Sequence, residues 1–520
     1  MIRSEMLSRL DRESKIWDVM VIGGGATGLG VAVESASRGY STLLLEQGDF
    51  SQGTSSRSTK LIHGGIRYLQ QGNISLVLEA LHERGLLLQN APHLVHHQSF
   101  MVPNYSWWEG PFYGVGLKVY DALAGKLGLE KSTVLSREMV LEKMPTLEPR
   151  DLKGGVIYYD GQFDDARLAV TLAQTAEDMG ACVLNYAQVN ALTKSNGLVG
   201  GVVAIDKLTG REYKVMSRTV VNATGIFVDS ILKMDVTHHE PIIAPSQGVH
   251  IVLDKSFLPG DIAVMVPHTD DGRVLFAVPW HDRVIVGTTD TPIDKPSLEP
   301  VPFTEEVFFL LDHAAKYLTK DPVAEDVLSA FAGIRPLINT GNSKSTAALA
   351  RDHHLSVSPS GLITIAGGKW TTYRKMGEDT IDAAIPIGAL YPRKSRTRNL
   401  SLNGWSMDDA GNAPYALYGN SARYIKRLVD HDPSLDEPIH ERLPYRFSEV
   451  VWAVRNEMAC FLDDVLSRRT RALILDARAS MEAAPEVARV MAKELGKDAT
   501  WQQDQVKRYL KLAESYLISL

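Results

Sequence analysis

The hydrophobic pattern divides the chain into three kinds of segment. Two short apolar runs, residues 19–22 and 42–45, are typical of buried parallel strands, and the stretch between them has helical spacing up to Arg38. From about residue 246 to 291 the apolar residues alternate or form short blocks between turns, which predicts an antiparallel sheet. Beyond about residue 391 helical spacing dominates. The order predicts an α/β protein with an inserted β domain and a helical C-terminal domain.

Further elements follow from the same periodicities. Strands are predicted at 155–160, 182–189, 219–221 and 362–365 and in a hairpin turning at 208–210; helices are predicted at 76–88, from 164 or 165 to 179, and at 304–319, 371–384, 447–468, 484–495 and 504–517. We therefore predict a short polar leader over residues 1–17 and a discontinuous dinucleotide-binding domain over 18–390. An antiparallel substrate domain, including about 240–335, is inserted in it, and an α-helical domain covers 391–520.

The stretch DVMVIGGGATGLGVAVESASRGYSTLLLE, residues 18–46, carries the clearest chemistry. Gly23, Gly25 and Gly28 stand in G-x-G-x-x-G spacing between the first strand and the helix. The first glycine permits a tight turn, the second lets the backbone approach a pyrophosphate, and the third lets helix and strand pack closely. The helix N-terminus favours the phosphate charge, and Glu46 can accept hydrogen bonds from ribose hydroxyls. We interpret this stretch as a dinucleotide site; a purely structural βαβ turn is the alternative.

Three further segments supply small or polar residues to the same ligand. The loop after the ribose acid is rich in hydroxyls and glycine and would lie over the cofactor, although a solvated loop with a helix cap is the alternative. Two later strands end in small residues that let the backbone approach a nucleotide. The residues concerned are Ser55, Ser56, Thr59, His63 and Gly65 in the loop, Ala223, Thr224 and Gly225 after the first strand, and Gly368, Lys369 and Thr371 after the second.

Composition and charge argue against several classes of protein. The net charge of −7 argues against general nucleic-acid binding, and two cysteines exclude a disulfide framework or a cysteine-rich metal site. No run of about 18 apolar residues predicts a transmembrane helix, and the charged N-terminus lacks the apolar core of a signal peptide. Six aromatic residues crowd the stretch 105–120, which is typical of a core or interface and, alternatively, of a membrane–water boundary.

With these residues placed, the chain is similar to the FAD-dependent glycerol-3-phosphate dehydrogenases from Asp18 into the C-terminal helical region. The motifs that carry the resemblance, besides the stretch 18–46, are STKLIHGGIRYL, DGQFDDARL, VNATG, FAGIRPL and AGGKWTTYRKMGEDTIDA. The chain resembles the bacterial membrane-associated dehydrogenases more than the hydrogen-peroxide-forming oxidases. The resemblance implies FAD as cofactor in a Rossmann-like, doubly wound domain.

The resemblance also implies a two-electron oxidation of sn-glycerol 3-phosphate to dihydroxyacetone phosphate. Hydride would pass from C2 to flavin N5 while a base takes the hydroxyl proton. Arg335 and Arg351 would bind the phosphate, with Arg335 over the flavin, and Tyr68 is expected among the substrate-binding residues. For Arg351 an ordinary surface salt bridge is the alternative.

The catalytic base is left open among His63, His250 and Arg335, and for each histidine a structural role is the alternative. Lys369 would face the pyrimidine edge of the flavin and favour its reduced, anionic form.

By the same resemblance the electron acceptor is a membrane quinone. The protein would be cytoplasmic and peripherally associated with the inner face of the cytoplasmic membrane, and no metal or nucleic acid is expected. The oligomeric state is left open, with a homodimer as one alternative. The competing functions are a peroxide-forming glycerol-3-phosphate oxidase, another FAD-dependent amine or amino-acid oxidase, and a flavin-binding protein without turnover.

Overall fold

A computed structural model describes residues 1–11, 16–65, 73–267, 269, 273–339, 353–407 and 414–518. Its strands are β1 (Ile16–Ile22), β2 (Thr42–Leu45), β3 (Leu61–Ile62), β4 (Val95–Asn104), β5 (Thr133–Ser136), β6 (Gly154–Phe163), β7 (Cys182–Leu184), β8 (Ala187–Ser195), β9 (Leu198–Asp206), β10 (Glu212–Asn222), β11 (Ile243–Asp254), β12 (Ala263–Val266), β13 (Leu275–Trp280), β14 (Arg283–Gly287), β15 (Thr291–Pro292), β16 (Ser329–Ile338), β17 (His353–Val357) and β18 (Ile363–Gly367). Its α-helices are α1 (Arg3–Leu10), α2 (Ala26–Ser37), α3 (Ile74–Asn90), α4 (Glu109–Ala124), α5 (Arg137–Lys143), α6 (Asp165–Asp178), α7 (Val228–Asp235), α8 (Thr304–Ala315), α9 (Tyr373–Ile387), α10 (Ala422–His431), α11 (Phe447–Asn456), α12 (Ala472–Leu475), α13 (Ala477–Leu495) and α14 (Ala499–Glu514).

The first sheet is the predicted dinucleotide-binding sheet. Its strand order is β17-β18-β10-β1-β2-β7, and β18, β10, β1, β2 and β7 run parallel. The predicted hairpin is confirmed, since β9 pairs antiparallel with both β8 and β10. Helices α2 and α9 pack so closely that a Cβ on Gly377 would lie 2.7 Å from the carbonyl oxygen of Gly30. The segment after residue 353 therefore completes a sheet that begins at residue 16.

The second sheet is antiparallel at the predicted meander but larger than expected. Its order is β15-β11-β14-β13-β12-β4-β6-β3, with β16 also paired to β11 and β5 to β6. The four strands β3, β4, β5 and β6 come from residues well before the predicted insertion at about 240–335. Strand β4 escaped prediction because its first half, VHHQS, has no alternating apolar pattern, and only its second half is fully buried.

Residues 1–17 need a correction, because they do not form a polar leader where the structure describes them. Met6, Leu10 and Trp17 are buried in the core of the first sheet. Arg9 donates hydrogen bonds to the carbonyl oxygens of Gly180 and Ala181. An apolar pair spaced by four residues is enough to bury one face of a short helix, although the charges around it conceal that face in the sequence.

The C-terminal helices pack onto the rest of the molecule. Their apolar core, built from α11 to α14, includes Val252, Ile285 and Phe331 of the second sheet. The predicted helix over 447–468 is divided: α11 ends at Asn456, and a π-helical turn follows at Asp464–Arg469. Within the described ranges, no helix combines the length and the hydropathy that a membrane span requires.

Candidate functional site

A cavity of about 540 Å³ lies where the carboxyl ends of β1, β2, β10 and β18 meet the second sheet. Fourteen of the predicted site residues line it: His63, His250, Arg335, Lys369, Gly23, Gly25, Glu46, Ser55, Thr59, Ala223, Thr224, Gly225, Gly368 and Thr371. Gly28, Ser56 and Gly65 lie outside its lining. Tyr68 and Arg351 fall outside the described residues.

The glycine turn packs so closely against other backbone that a side chain does not fit at its first or third glycine. Gly23 has φ +109°, and a Cβ there would lie 2.6 Å from the carbonyl oxygen of Ala223. A Cβ on Gly28 would lie 1.9 Å from the carbonyl oxygen of Gly23, which matches the packing role predicted for the third glycine.

Helix α2 directs its N-terminus towards the cavity. Gly25 precedes it in an extended conformation, with no side-chain cap, and the amide of Ala26 donates to Ser55 Oγ at 2.9 Å. The partial positive charge of the helix end is therefore available to an anion. Ser56, the next residue after Ser55, is buried, and its carbonyl oxygen accepts a hydrogen bond from the buried ammonium of Lys60 at 3.0 Å.

Glu46 is held at the end of β2 by backbone amides. Its Oε2 accepts from the amide of Gly24 at 2.6 Å, and its Oε1 from the amide of Gly48 at 2.8 Å. Burial raises the pKa of Glu46, against the lowering effect of these two amides. Each carboxylate oxygen keeps a lone pair for a further donor, such as a ribose hydroxyl.

Arg335 lies on the second-sheet side of the cavity in a fixed orientation. Its Nη2 donates to Thr288 Oγ1 at 3.0 Å and to the carbonyl oxygen of Thr289 at 2.9 Å, and its Nη1 lies 3.2 Å from Asp290 Oδ1. A Cβ on Gly248 would lie 2.3 Å from Nη2, so this glycine makes room for the guanidinium. The side chain remains 26 % exposed, which leaves it accessible to a ligand.

His250 is buried beside this arginine and is neutral near pH 7. Its Nε2 shares a 2.9 Å hydrogen bond with Thr59 Oγ1, and its ring stacks on Phe331 with centroids 4.9 Å apart. Burial lowers the pKa of His250 well below the usual value, and the nearby cations of Lys60 and Arg335 lower it further.

Lys60, which precedes β3, is a fully buried cation. Its Nζ donates to Asp165 Oδ2 at 2.7 Å and lies 5.0 Å from the centre of the Phe331 ring. Burial lowers the pKa of Lys60 to about 8, although Asp165 favours the charged form. More than 100 residues separate Lys60 from Asp165, so no local pattern could have paired them.

The loop that carries His63 is fixed by a buried polar cluster. The amide of Gly64 donates to Tyr120 Oη at 2.8 Å, and that hydroxyl donates to Asp160 Oδ2 at 2.8 Å. Arg84 Nη1 donates to Asp160 Oδ1 at 2.6 Å. Gly65 follows with φ +78°, a conformation that glycine adopts without strain.

The predicted strand–glycine–helix unit is present at β18 and α9. Gly367 and Gly368 both have positive φ, and Lys369 leads into a short 3₁₀ turn, Trp370–Thr372, before α9. The indole of Trp370 donates to the carbonyl oxygen of Ser55 at 2.9 Å, which joins this turn to the serine loop. The turn at Trp370 and the serine loop are thus joined to each other, and both line the cavity on the side of the first sheet.

These features fit a flavin dinucleotide. The cavity offers a pyrophosphate the N-terminus of α2, whose N-cap residue is a glycine, and offers a ribose the carboxylate of Glu46; the turn between them is tight enough that a Cβ on Gly23 would overlap the carbonyl oxygen of Ala223. Among the described residues, no cluster of histidine, cysteine and carboxylate side chains is arranged to bind a metal ion.

The comparisons with known proteins agree with this site. Residues 18–374 match the FAD dependent oxidoreductase family, and residues 365–503 match the C-terminal domain of alpha-glycerophosphate oxidase. The human mitochondrial glycerol-3-phosphate dehydrogenase is 42 % identical over 540 residues, covering 97 % of this chain and 74 % of that protein.

A solved glycerol-3-phosphate dehydrogenase from Bacillus halodurans, complexed with FAD, is 29 % identical with a TM-score of 0.80. It covers 100 % of this chain, and the match spans 98 % of that protein. The L-alpha-glycerophosphate oxidase of Mycoplasma pneumoniae, at 18 % identity and a TM-score of 0.56, shares the fold. The chain belongs to the FAD-dependent oxidoreductase family and, within it, to the glycerol-3-phosphate dehydrogenases, with FAD as its cofactor.

Proposed function

We propose that this protein oxidises sn-glycerol 3-phosphate to dihydroxyacetone phosphate and passes the electrons to a membrane quinone. The observation that best supports this substrate is the accessible guanidinium of Arg335 on the cavity wall. The chain also belongs to the glycerol-3-phosphate dehydrogenases. When bound, FAD supplies the acceptor for the hydride that leaves C2. The protein must bind the phosphate, orient the C2 hydroxyl and accept its proton.

Arg335 supplies a fixed positive charge for the substrate. Its hydrogen bonds to Thr288 and Thr289 hold the guanidinium plane before substrate arrives, so little rotamer entropy is lost on binding. A guanidinium in this position stabilises negative charge that develops on the C2 oxygen. Arg351 remains the second proposed phosphate ligand.

His63 is the better candidate for the proton acceptor. His250 is surrounded by cations and buried, so its imidazolium form is unfavourable and it is a weak base. His63 is half-buried, lines the cavity and sits on a loop fixed at Gly64. We assign His250 the role of orienting Thr59, and Lys369 the role of favouring the reduced flavin.

Anaerobic titration with glycerol 3-phosphate tests the substrate. We expect bleaching of the visible flavin band with one equivalent, and none at the same concentration of glycerol or glycine. Bleaching by glycine alone would favour an amino-acid oxidase, and no bleaching by any substrate would favour a flavin protein without turnover.

A surface of exposed apolar residues on helix α4 supports membrane association. Trp108, the N-cap residue of α4, is followed by Phe112, Val115 and Val119 at spacings of four, three and four, so the four side chains lie on one side of the helix. Trp107 precedes them and is 84 % exposed. Tryptophan and apolar side chains on one exposed face are typical of interfacial helices. We propose that this surface rests on the inner face of the cytoplasmic membrane, where a quinone is accessible.

Co-sedimentation with lipid vesicles tests this surface. The double variant Trp108→Ser and Phe112→Ser should lose most of the bound fraction. The control Phe308→Ser, on α8, removes an aromatic side chain of similar exposure elsewhere. Equal loss in both variants would contradict the proposal.

The electron acceptor is tested by turnover in air with and without a quinone analogue. Stoichiometric peroxide formation without stimulation by the quinone would favour the oxidase.

A further inference from the structure

The C-terminal helices reach the cofactor loop, residues 47–57, through a buried ion pair. Asp49 lies three residues after the ribose acid, and its carboxylate is fully buried. Arg469 donates to both of its oxygens, at 2.7 and 2.8 Å, and Arg468 Nε donates to Oδ2 at 2.6 Å. Both arginines belong to the π-helical turn Asp464–Arg469, and neither lines the cavity.

The charges in this cluster are compensated. Burial favours the neutral carboxyl, but Arg469 and Arg468 outweigh it and lower the pKa of Asp49 to about 2. Arg469 Nε and Nη2 also donate to the carbonyl oxygen of Glu457, at 3.2 and 2.7 Å. Fully paired buried ions add little net stability over apolar side chains, but they fix geometry, because breaking one pair leaves a buried charge uncompensated.

The loop that Asp49 anchors has a backbone that needs support. Ser51, two residues later, has φ +59°, a left-handed conformation that costs a non-glycine residue about 1–2 kcal/mol. Its amide donates to the carbonyl oxygen of Gly24 at 2.9 Å, so the loop also contacts the glycine turn. Ser51, Gln52 and Gly53 all line the cavity.

The same helical region holds this loop at two further points. Arg471 Nη2 donates to the carbonyl oxygen of Ser56 at 2.6 Å, and the hydroxyl of Tyr516 lies 3.3 Å from Arg57 Nη2. The loop is thus fixed near its beginning and its end by residues more than 400 positions later in the chain.

We propose that Arg468 and Arg469 are positioning residues for FAD: they hold the loop 47–57 in the conformation that binds the adenosine half of the cofactor, without touching it. The helical C-terminal region then sets the affinity for FAD. Because coupling between two sites is reciprocal, bound FAD also stabilises the docking of the π-helical turn. Both the effect on FAD affinity and the effect on the docking of the turn are expected whichever substrate is oxidised and whichever acceptor takes the electrons.

The affinity of the apoprotein for FAD tests the proposal directly. Arg469→Lys keeps the charge but loses the two-point contact with Asp49, and we expect it to raise the Kd for FAD tenfold or more. The matched control is Arg455→Lys, in the same helical region, where the native arginine pairs with Glu494 at 2.5 Å on the surface. We expect the control to change Kd by less than twofold. A Kd within twofold of wild type for Arg469→Lys, even with a lowered melting temperature, would show a merely structural pair and overturn the proposal.

Hydrogen exchange on the wild-type protein gives a test that needs no variant. Adding FAD to the apoprotein should slow exchange in residues 464–471, which lie outside the cavity, and more strongly than in α13. Unchanged exchange in 464–471, with protection confined to cavity residues, would overturn the proposed coupling.

Discussion

Replacing Gly28 with alanine should release FAD from a protein that otherwise folds. A Cβ at this position would lie 1.9 Å from the carbonyl oxygen of Gly23, and contacts under 3.0 Å do not occur at real Cβ atoms. Helix α2 and the glycine turn must therefore separate by about 1 Å. Both are backbone, so no side chain can rotate to relieve the overlap.

The size of the effect follows from what the helix N-terminus does. An amide aimed at a phosphate oxygen at ~2.9 Å no longer makes a hydrogen bond when it moves ~1 Å away. Hydrogen bonds to charged groups contribute about 1.5–3 kcal/mol each. Loss of two such bonds corresponds to about 3–6 kcal/mol, or roughly a hundredfold to ten-thousandfold increase in the Kd for FAD. The cost to the apoprotein is that of overpacking, about 1–3 kcal/mol.

Fluorescence titration of the apoprotein with FAD measures the first quantity, and urea unfolding of the apoprotein measures the second. Gly116→Ala is the matched control, because Gly116 is also helical and a Cβ there has no neighbour within 4 Å. A Gly28→Ala variant that binds FAD within threefold of wild type would refute the argument. It would mean that the helix N-terminus does not hold the pyrophosphate.

Four further outcomes are expected. Arg335→Ala should lower kcat as well as raise KM for glycerol 3-phosphate, because its charge meets the developing oxyanion; an effect on KM alone would restrict it to phosphate binding. His250→Asn should leave the acid limb of the kcat/KM–pH profile in place, since His250 is already neutral there, and loss of that limb would reverse the assignment of the proton acceptor. Tyr120→Phe removes the shorter of the two hydrogen bonds of the Gly64 amide and the donor to Asp160, and should lower the free energy of unfolding in urea by about 1–3 kcal/mol; an unchanged free energy would show that this hydroxyl does not stabilise the loop. The pKa of Asp49 is below its unfolded value, so its contribution of about 2 kcal/mol is present above pH 4 and lost towards pH 2; the urea midpoint should fall over that range, and less so in Asp49→Asn.

The parts of the site that local sequence specifies were predicted from the sequence. Gly23, Gly28 and Gly368 have conformations or contacts that follow from a strand, a turn and a helix adjacent in the chain. Glu46 is placed by the end of a strand whose apolar run is unmistakable. Except for the contact of Gly23 with Ala223, 200 positions later, the residues that decide these geometries lie within about 30 positions of one another.

What the sequence could not predict depends on distant partners. The pairs Asp49–Arg469 and Lys60–Asp165 carry no local signal, because buried ions look like surface charges until the fold brings them together. Helix α1 was not predicted for a related reason, because its two buried residues are outnumbered by charged residues in the sequence. The chemical roles of the histidines stay predictions, because side-chain environment rather than residue type decides which one accepts a proton.

The pairing of β18 with β10, and of α9 with α2, has a consequence for biosynthesis. About 340 residues separate the end of β1 from the start of β18. A ribosome adding roughly 5–20 residues per second needs on the order of 17–70 s to make that stretch. During this time the glycine fingerprint exists without the strand and helix that complete its sheet, and the apolar strands β1 and β2 lack part of their cover. The nascent chain therefore cannot complete its flavin site when the glycine fingerprint emerges, and FAD uptake must wait until β18 and α9 have been synthesised.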